Sequence, residues 1–301
     1  MKETKQETLD RIFQQLEEGT KNVFSSQAWT AYLQTMARFH QYSTGNSILI
    51  YTQKPDATYV AGYYAWKNTF HRYVKKGEKS IRILAPIRKY TVVQTENGEE
   101  EQKYRIAGFR AASVFDISQT VGKDLPAYMK DTLSGTVEDY ALFREALCLA
   151  SPVPVRFETI EGNAHGYYRP IDADIIIRND MSQKQTVKTM IHEIAHAMLH
   201  HPHPGDDQLT RNRREIEAES TAYAVSSYYG IDTSEYSFPY IAGWSASHDM
   251  KELRDSLDII RSTTDRLIAT IDCILDPMKK PTYLHALTDQ EEKKPVSDRL
   301  S

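Results

Sequence analysis

Residues 181–199 read MSQKQTVKTMIHEIAHAML. Ser182 followed by Gln185 opens this stretch as a helix N-terminus does: the first side chain accepts from the backbone and the second reaches back to it. Val187, Met190, Ile191, Ile194, Ala195 and Met198 then recur at helical spacing and form one apolar stripe. At about 100° per residue, His192 and His196 project away from that stripe and lie about 40° from each other. Two imidazoles one turn apart on a helix can share a tetrahedral divalent ion. Glu193, one residue along, can meet a water held by that ion, and metal-assisted hydrolysis needs this arrangement. The spacing therefore predicts metal ligands at His192 and His196 and a catalytic carboxylate at Glu193.

Two histidines do not complete a catalytic site, which takes a third protein ligand and leaves a position for water. The acidic stretch Arg213-Arg-Glu-Ile-Glu-Ala-Glu-Ser-Thr-Ala-Tyr follows about 20 residues later. Ala218, Ala222, Val225 and Tyr229 give its helix an apolar edge. Glu215 and Glu219, four apart, flank that edge on one side, and Glu217 points further out as a solvated charge. Glu219 is the preferred ligand, with Glu215 as the alternative or as an orienting neighbour. His200 shares the histidine face, but positions i and i+8 are about 12 Å apart, so His200, His201 and His203 read as a solvated loop. The expected ion is Zn2+, with Mn2+ or Co2+ also compatible with imidazole and carboxylate donors. His165, Tyr168 and Tyr223 are the side chains available to stabilise a developing oxyanion.

The first half carries a different signal. Tyr42, Tyr51, Tyr59, Tyr63, Tyr64, Trp66, Phe70 and Tyr73 precede or interleave with a basic cluster. Residues 67–89 hold eight Lys or Arg against the single acid Glu78, although the whole chain has a formal charge of −4. Aromatic faces stack bases and cations track phosphates, so the pattern fits single-stranded nucleic acid. The expected contacts are Trp66, Arg72, Lys75, Lys76 and Lys79, with Gly77 turning the lysine loop. An acidic run, Glu99 to Glu101, follows.

Coarse periodicity places helices around 9–16, 29–36, 138–150, 183–201, 211–229 and 248–275. Strands are expected at 81–85, 90–94, 104–107, 112–115, 155–157 and 173–177, with no internal repeat. The fold class is α+β: an N-terminal α+β domain with the aromatic and basic cluster (1–122), a mostly helical domain with the histidine pair (123–277) and a polar tail (278–301). The Gly- and Pro-containing stretch at 120–135 marks the boundary. The start lacks a secretory pattern, no run of 18 to 20 apolar residues appears, and Cys148 and Cys273 read as reduced thiols; the chain is read as cytoplasmic, with no membrane partner.

Longer motifs add a resemblance. YSTGNSILIYTQKPDATYVAGYYAWKNTFHRYVKKGEKSIRILAP (42–86) with VFDISQTVG (114–122) resembles the N-terminal domain of the ArdC-type antirestriction proteins of plasmids and conjugative elements. HEIAHAMLH (192–200) followed by EIEAESTAYAV (215–225) resembles their zincin-like metallopeptidase domain, and more distantly the peptidases that cleave phage or stress-response repressors. The resemblance implies a single-stranded-DNA-binding domain joined to a metal-dependent peptidase-like domain that protects incoming DNA from restriction. It implies metal binding by His192 and His196, catalysis by Glu193 and an acidic ligand at Glu219. Asn46, Trp66, Lys75, Lys76, Gly77 and Lys79 match the N-terminal pattern. Where the family usually has a Gly-Arg pair before VKKGEK, this chain has Phe70-His71-Arg72-Tyr73, so the turn there is expected to differ. The competing readings are a non-proteolytic protection protein with a structural metal and a repressor-cleaving peptidase; the peptide substrate is unspecified in both.

Overall fold

Three helices open the chain, each begun by a hydroxyl side chain that caps a free backbone N–H. The computed structural model describes residues 4–94, 100–125, 137–199, 211–231, 233, 236, 238, 241–246 and 248–275. In α1 (Lys5–Asn22) the Thr4 hydroxyl accepts from the Glu7 N–H, and the Glu7 carboxylate accepts from the Thr4 N–H. The Ser25 and Ser43 hydroxyls cap α2 (Ser26–Arg38) and α3 (Thr44–Gln53) by accepting from the Ala28 and Asn46 N–H groups. The expected helix at 29–36 lies within α2, and Trp29, Tyr32, Leu33 and Met36 are all buried.

The separate strands expected at 81–85 and 90–94 are one strand, β3 (Ile81–Gln94), and those at 104–107 and 112–115 lie in β4 (Glu100–Asp116). The two pair antiparallel, with a register shift between Ile87 and Arg88. The short β1 (Val60–Gly62) covers the other side of β4, giving the order β1-β4-β3. Pro86, which lacks an N–H, falls inside β3, and β3 is an edge strand where that loss is tolerated. Side chains of α3 satisfy that edge further along. The Asn46 amide both donates to Leu84 O and accepts from the Leu84 N–H, each at 2.9 Å, and Gln53 does the same for Arg82. At Arg82 and Leu84 the strand edge is thereby occupied and closed to pairing with another chain.

Between β1 and β3 lie α4 (Tyr63–Asn68) and β2 (Arg72–Val74); β2 pairs with β5 (Thr120–Gly122) in a two-stranded ribbon. Trp66, expected to stack bases, is 1% exposed, and its indole N–H donates to Phe115 O at 2.8 Å. Arg72, expected to meet phosphates, is buried as well. Its guanidinium donates to Thr120 Oγ1, Thr120 O and the carbonyls of Gly122 and Lys123. Both residues hold this subdomain together, which corrects their assignment as DNA contacts. His71, in the stretch that departs from the Gly-Arg pattern, has φ 53°, a left-handed conformation that favours glycine. The backbone thus keeps a glycine-type turn there with a histidine in place.

In the second half α5 (Val137–Ala150) precedes a three-stranded sheet of order β6-β8-β7. β6 (Val155–Glu158) runs parallel to β8 (Asp174–Arg178), and β7 (Gly166–Arg169), absent from the sequence reading, runs antiparallel to it. Arg169 makes a bidentate pair with Asp174 across the β7–β8 turn. Then come α6 (Gln183–Leu199), α7 (Arg211–Tyr228), α8 (Ile241–Ala246) and α9 (Met250–Leu275). The fold is α+β, with a mainly helical C-terminal part.

Helix α7 is buried on two faces. Ala222 and Val225 join Ile191, Ile194 and Leu267 in one core, whereas Ile216, Tyr223 and Ala224 join Trp29, Leu33, Phe238 and Trp244 in another. That second core is continuous across residue 122, since it draws on α2 as much as on α7. Glu217, expected as a solvated charge, is 1% exposed. It receives Arg213 Nε at 2.8 Å and the Ser256 hydroxyl at 2.6 Å, because α9 covers the face that periodicity of α7 alone left open. Among the described residues no helix is long and apolar enough to cross a membrane. Cys148 and Cys273 are free thiols. The expected acidic run at 99–101 lies partly outside the described residues, the boundary stretch at 120–135 is described only to 125, and His200, His201, His203 and the tail from 278 lie outside them.

Candidate metal centre and nucleic-acid face

One face of α6 is polar because the opposite face is consumed by the core. Gln185, Lys188, Thr189, His192, Glu193 and His196 fall at spacings of three, one, three, one and three, and all but His196 line one cleft of about 400 Å3. Strand β7 lies against this helix. A Cβ on Gly166 would stand 2.7 Å from Thr189 Cγ2 and 2.9 Å from Ile176 O, so only glycine permits that approach. His165 and Gly166 thereby become one wall of the cleft, with Tyr236 lining it as well.

His192 and His196 bring their Nε2 atoms to 3.1 Å, with the ring planes at 76°. Two nitrogens bound tetrahedrally at about 2.0–2.1 Å would stand about 3.3 Å apart, so the pair has the separation that one ion requires. Glu215 Oε2 lies 3.9 Å from His192 Nε2 and 3.7 Å from His196 Nε2, and ligand atoms of these three residues all lie within 4.8 Å of one another. Glu219, the preferred third ligand from sequence, lines the cleft beside His192 and Glu193 but faces the other ring nitrogen: its Oε2 is 3.3 Å from His192 Nδ1. The geometry favours Glu215 and thus reverses the order of preference. On α7 the two acids are one turn apart, and the turn nearer the Nε2 atoms carries Glu215.

The electrostatics follow from these contacts. Burial alone would hold His192 toward its neutral form, but the Glu219 hydrogen bond and the charges of Glu193, Glu219 and Glu215 outweigh it and raise its pKa above the ordinary value. The hydrogen bond to His196 lowers that of Glu215. Glu193 is 8% exposed, and its burial raises the carboxyl pKa even though both histidines and the Tyr168 backbone pull it down. A raised pKa makes a carboxylate a stronger proton acceptor, the property that a general base uses.

Of the side chains considered for oxyanion stabilisation, His165 lines the cleft, with Nδ1 3.3 Å from Gln185 Nε2. Tyr223 does not reach it: the ring is buried in the core shared with α2, and its hydroxyl accepts from Gln34 at 2.8 Å. Lys188 and Tyr236, which the sequence reading did not single out, do line the cleft. The spacing 188–192 on one helical face is the signal that would have found Lys188.

In the N-terminal half, Lys75, Lys76 and Lys79 are exposed on the loop after β2, turned by Gly77 at φ 89°. Lys75 Nζ donates to Ser118 O at 2.8 Å. The aromatic residues that face solvent there include Phe13, Tyr63, Tyr64 and Tyr73, together with Tyr90, Tyr104 and Phe109 on the β3–β4 hairpin, where the Arg88 guanidinium lies 5.0 Å from the Tyr104 ring centre.

Residues 2–115 match the family described as the N-terminal domain of anti-restriction factor ArdC, and residues 150–226 match the IrrE N-terminal-like domain, Peptidase M78. An uncharacterized protein of Bacillus anthracis is 28% identical over 337 residues, covering 99% of this chain and 56% of that protein. The chain thus spans about half the length of this relative. Among solved structures, the metal-free antirestriction ArdC protein from plasmid R388 superposes with a TM-score of 0.50 at 17% identity, covering 79% of this chain and 87% of that one. The Mn(II)-bound structure of the same protein gives a TM-score of 0.46 at 17% identity over 76% and 85%.

Proposed function

From a chain that joins an ArdC-type N-terminal domain to an IrrE-like peptidase domain, we propose a metal-dependent peptidase-type protein of the antirestriction class whose N-terminal half binds single-stranded DNA. The convergence of the His192 and His196 Nε2 atoms with Glu215 beside Glu193 carries the peptidase part of this reading. The donor set fits a divalent ion: two imidazole nitrogens and one carboxylate, with Glu219 behind His192 to fix its ring, as carboxylate partners of ligating histidines do. Zinc, manganese and cobalt all suit these donors. A divalent ion held there would supply Lewis acidity toward a water and a peptide carbonyl.

The protein's own groups do the rest. Glu193, kept from bulk water, accepts the proton of the attacking water and returns it to the leaving amine. His165 stands on the cleft wall as the candidate donor to the oxyanion. β7 is an edge strand of its sheet and borders the cleft. An extended peptide that paired with it would be laid across the histidines by main-chain hydrogen bonds, with side-chain identity mattering less. Glu193→Gln tests the assignment. Elemental analysis should find the metal content unchanged, and cleavage of a quenched-fluorescence peptide library should fall by about 100-fold or more, the usual worth of a general base. A variant as active as the parent would remove the peptidase reading and leave a protein whose metal is structural.

For DNA, the reading rests on the exposed Lys75, Lys76 and Lys79 with Tyr63, Tyr64 and Tyr73; Trp66 and Arg72 act only by holding the scaffold. Changing the three lysines to Gln should weaken binding of a single-stranded oligonucleotide. Each lost phosphate contact should flatten the salt dependence by about 0.7 in log–log slope, about 2 for all three. Fluorescence anisotropy across a salt series measures this, and an unchanged slope removes the lysine loop from the interface.

A further inference from the structure

Only one face of the β2–β5 ribbon meets the core. Arg72 and Thr120 are buried, and Val74 packs in the cluster of Trp66, Phe70 and Leu125. Side chains alternate along a strand, so Tyr73 and Val121 stand on the opposite face. They are direct cross-strand partners, 55% and 53% exposed. Lys75 follows at one end of the ribbon and Lys123 at the other, both exposed, and Lys76 and Lys79 extend the positive charge along the adjoining loop. The exposed acids among these residues are Glu78, which accepts from Gln119 Nε2 at 3.0 Å, and Asp124. Lys75 donates to the Ser118 carbonyl, which has no formal charge to cancel its own.

His71 lies at the Lys123 end of the ribbon. It is exposed, yet its φ of 53° is one that glycine adopts at no steric cost and other residues avoid. Gly122 opposite is required as glycine: a Cβ there would lie 2.5 Å from His71 O and 2.8 Å from Arg72 Cα. The missing Cβ lets β5 close on His71, while the Arg72 guanidinium, donating to Thr120, Gly122 and Lys123, ties the strands together from beneath. An exposed imidazole is thus held at a strained position on a rigid ribbon, and strain of that kind gathers where a ligand is met.

Resting on the single-stranded-DNA reading above, we propose that the outer face of the β2–β5 ribbon is the base-binding site, with Tyr73 and His71 each stacking a nucleobase and Lys75 and Lys123 meeting the phosphates on either side. Aromatic rings between cations match a polyanion whose planar groups lie between its charges. Every base has a π-face, so the site takes single strands without regard to sequence. A ribbon fixed before the ligand arrives loses little freedom on binding. A second copy of the chain is a poor occupant, because a two-fold contact would set these lysines against themselves.

Fluorescence anisotropy on the full chain compares oligo-dT with an abasic strand of the same length, which keeps every phosphate and lacks every base. The parent should bind oligo-dT tighter by about tenfold or more, the worth of two stacked bases. Tyr73→Ala should reduce that preference by about fivefold or more, and Tyr73→Phe, which keeps the ring, should preserve it. His71→Gly should also reduce it while the thermal midpoint holds or rises, since glycine is at ease at a positive φ. A residue needed only for the fold would move the midpoint and leave the preference alone. Lys123→Gln should flatten the salt dependence by about 0.7 in log–log slope on both strands. Circular dichroism checks folding, and size-exclusion chromatography follows the oligomeric state. A preference that survives Tyr73→Ala or His71→Gly, or a change of oligomeric state in the DNA-free Tyr73→Ala protein, overturns the proposal. If the parent binds both strands equally, the DNA reading stands on charge alone and the stacking site falls; if it binds neither, both fall.

Discussion

Glu215→Ala is expected to leave the protein unable to retain stoichiometric metal through desalting, whereas Glu219→Ala should keep the metal with affinity reduced by about 10–100-fold. The difference arises from which ring atom each carboxylate faces. Glu215 lies 3.7 and 3.9 Å from the two Nε2 atoms, on the side where the imidazoles converge. Glu219 approaches Nδ1 of His192 and can only steady that ring and its tautomer. Removing Glu215 takes away one of three donors and the negative charge that balances a divalent cation. Removing Glu219 leaves all three donors but frees a ring to rotate. Elemental analysis after desalting, with chelator competition for the affinity, separates the two. Thermal unfolding adds an independent readout: an ion at 100 times its Kd stabilises the folded state by about 2.7 kcal/mol, and that increment should vanish in Glu215→Ala and shrink in Glu219→Ala. The reverse order, with metal lost only from Glu219→Ala, would return the third ligand to Glu219.

That pair of acids also marks where the sequence stops being legible. The helical stripe of α6 and the one-turn spacing of His192 and His196 follow from 3.6 residues per turn, and the structure has both on one polar face. Glu215 and Glu219 are themselves one turn apart, so periodicity puts them on the same side and cannot say which level of α7 meets the histidines. Only the packing of α7 against α6 decides it. Glu217 failed for a related reason: a helix read alone has one buried face, but α2 and α9 give α7 further ones. Trp66 and Arg72 show the limit of composition, since an aromatic and a cation near other cations look the same whether they face solvent or tie strands together. The departure at His71 was visible in sequence, but its positive φ was not. β7 went unseen because GYYR is short and holds no alternation, and its place is set by the glycine that lets it approach Thr189.

Trp29→Ala should cost about 3–5 kcal/mol, the range for emptying a large aromatic from a core, and the loss should be felt in both halves of the molecule. Trp29 is fully buried on α2. Its ring stacks on Phe24 at 5.2 Å between centres and meets Phe238 edge-on at 6.4 Å, and its indole N–H donates to Ser220 Oγ of α7 at 3.2 Å. Ser220 follows Glu219 directly, so the α7 segment that carries the acids of the proposed metal site is clamped from its other side by the N-terminal helices. The cavity left by alanine would loosen that clamp and leave the Ser220 hydroxyl without its donor, while Trp29→Phe, which keeps most of the ring, should cost less. Urea unfolding followed by circular dichroism, with released metal measured by a chromogenic chelator, gives the deciding comparison. A shared core predicts that both signals move together to lower urea in Trp29→Ala. If the metal were released at the parent midpoint while part of the helical signal melted early, α2 would be an appendage to the metal-bearing half, and the continuity of the core across residue 122 would have no energetic weight.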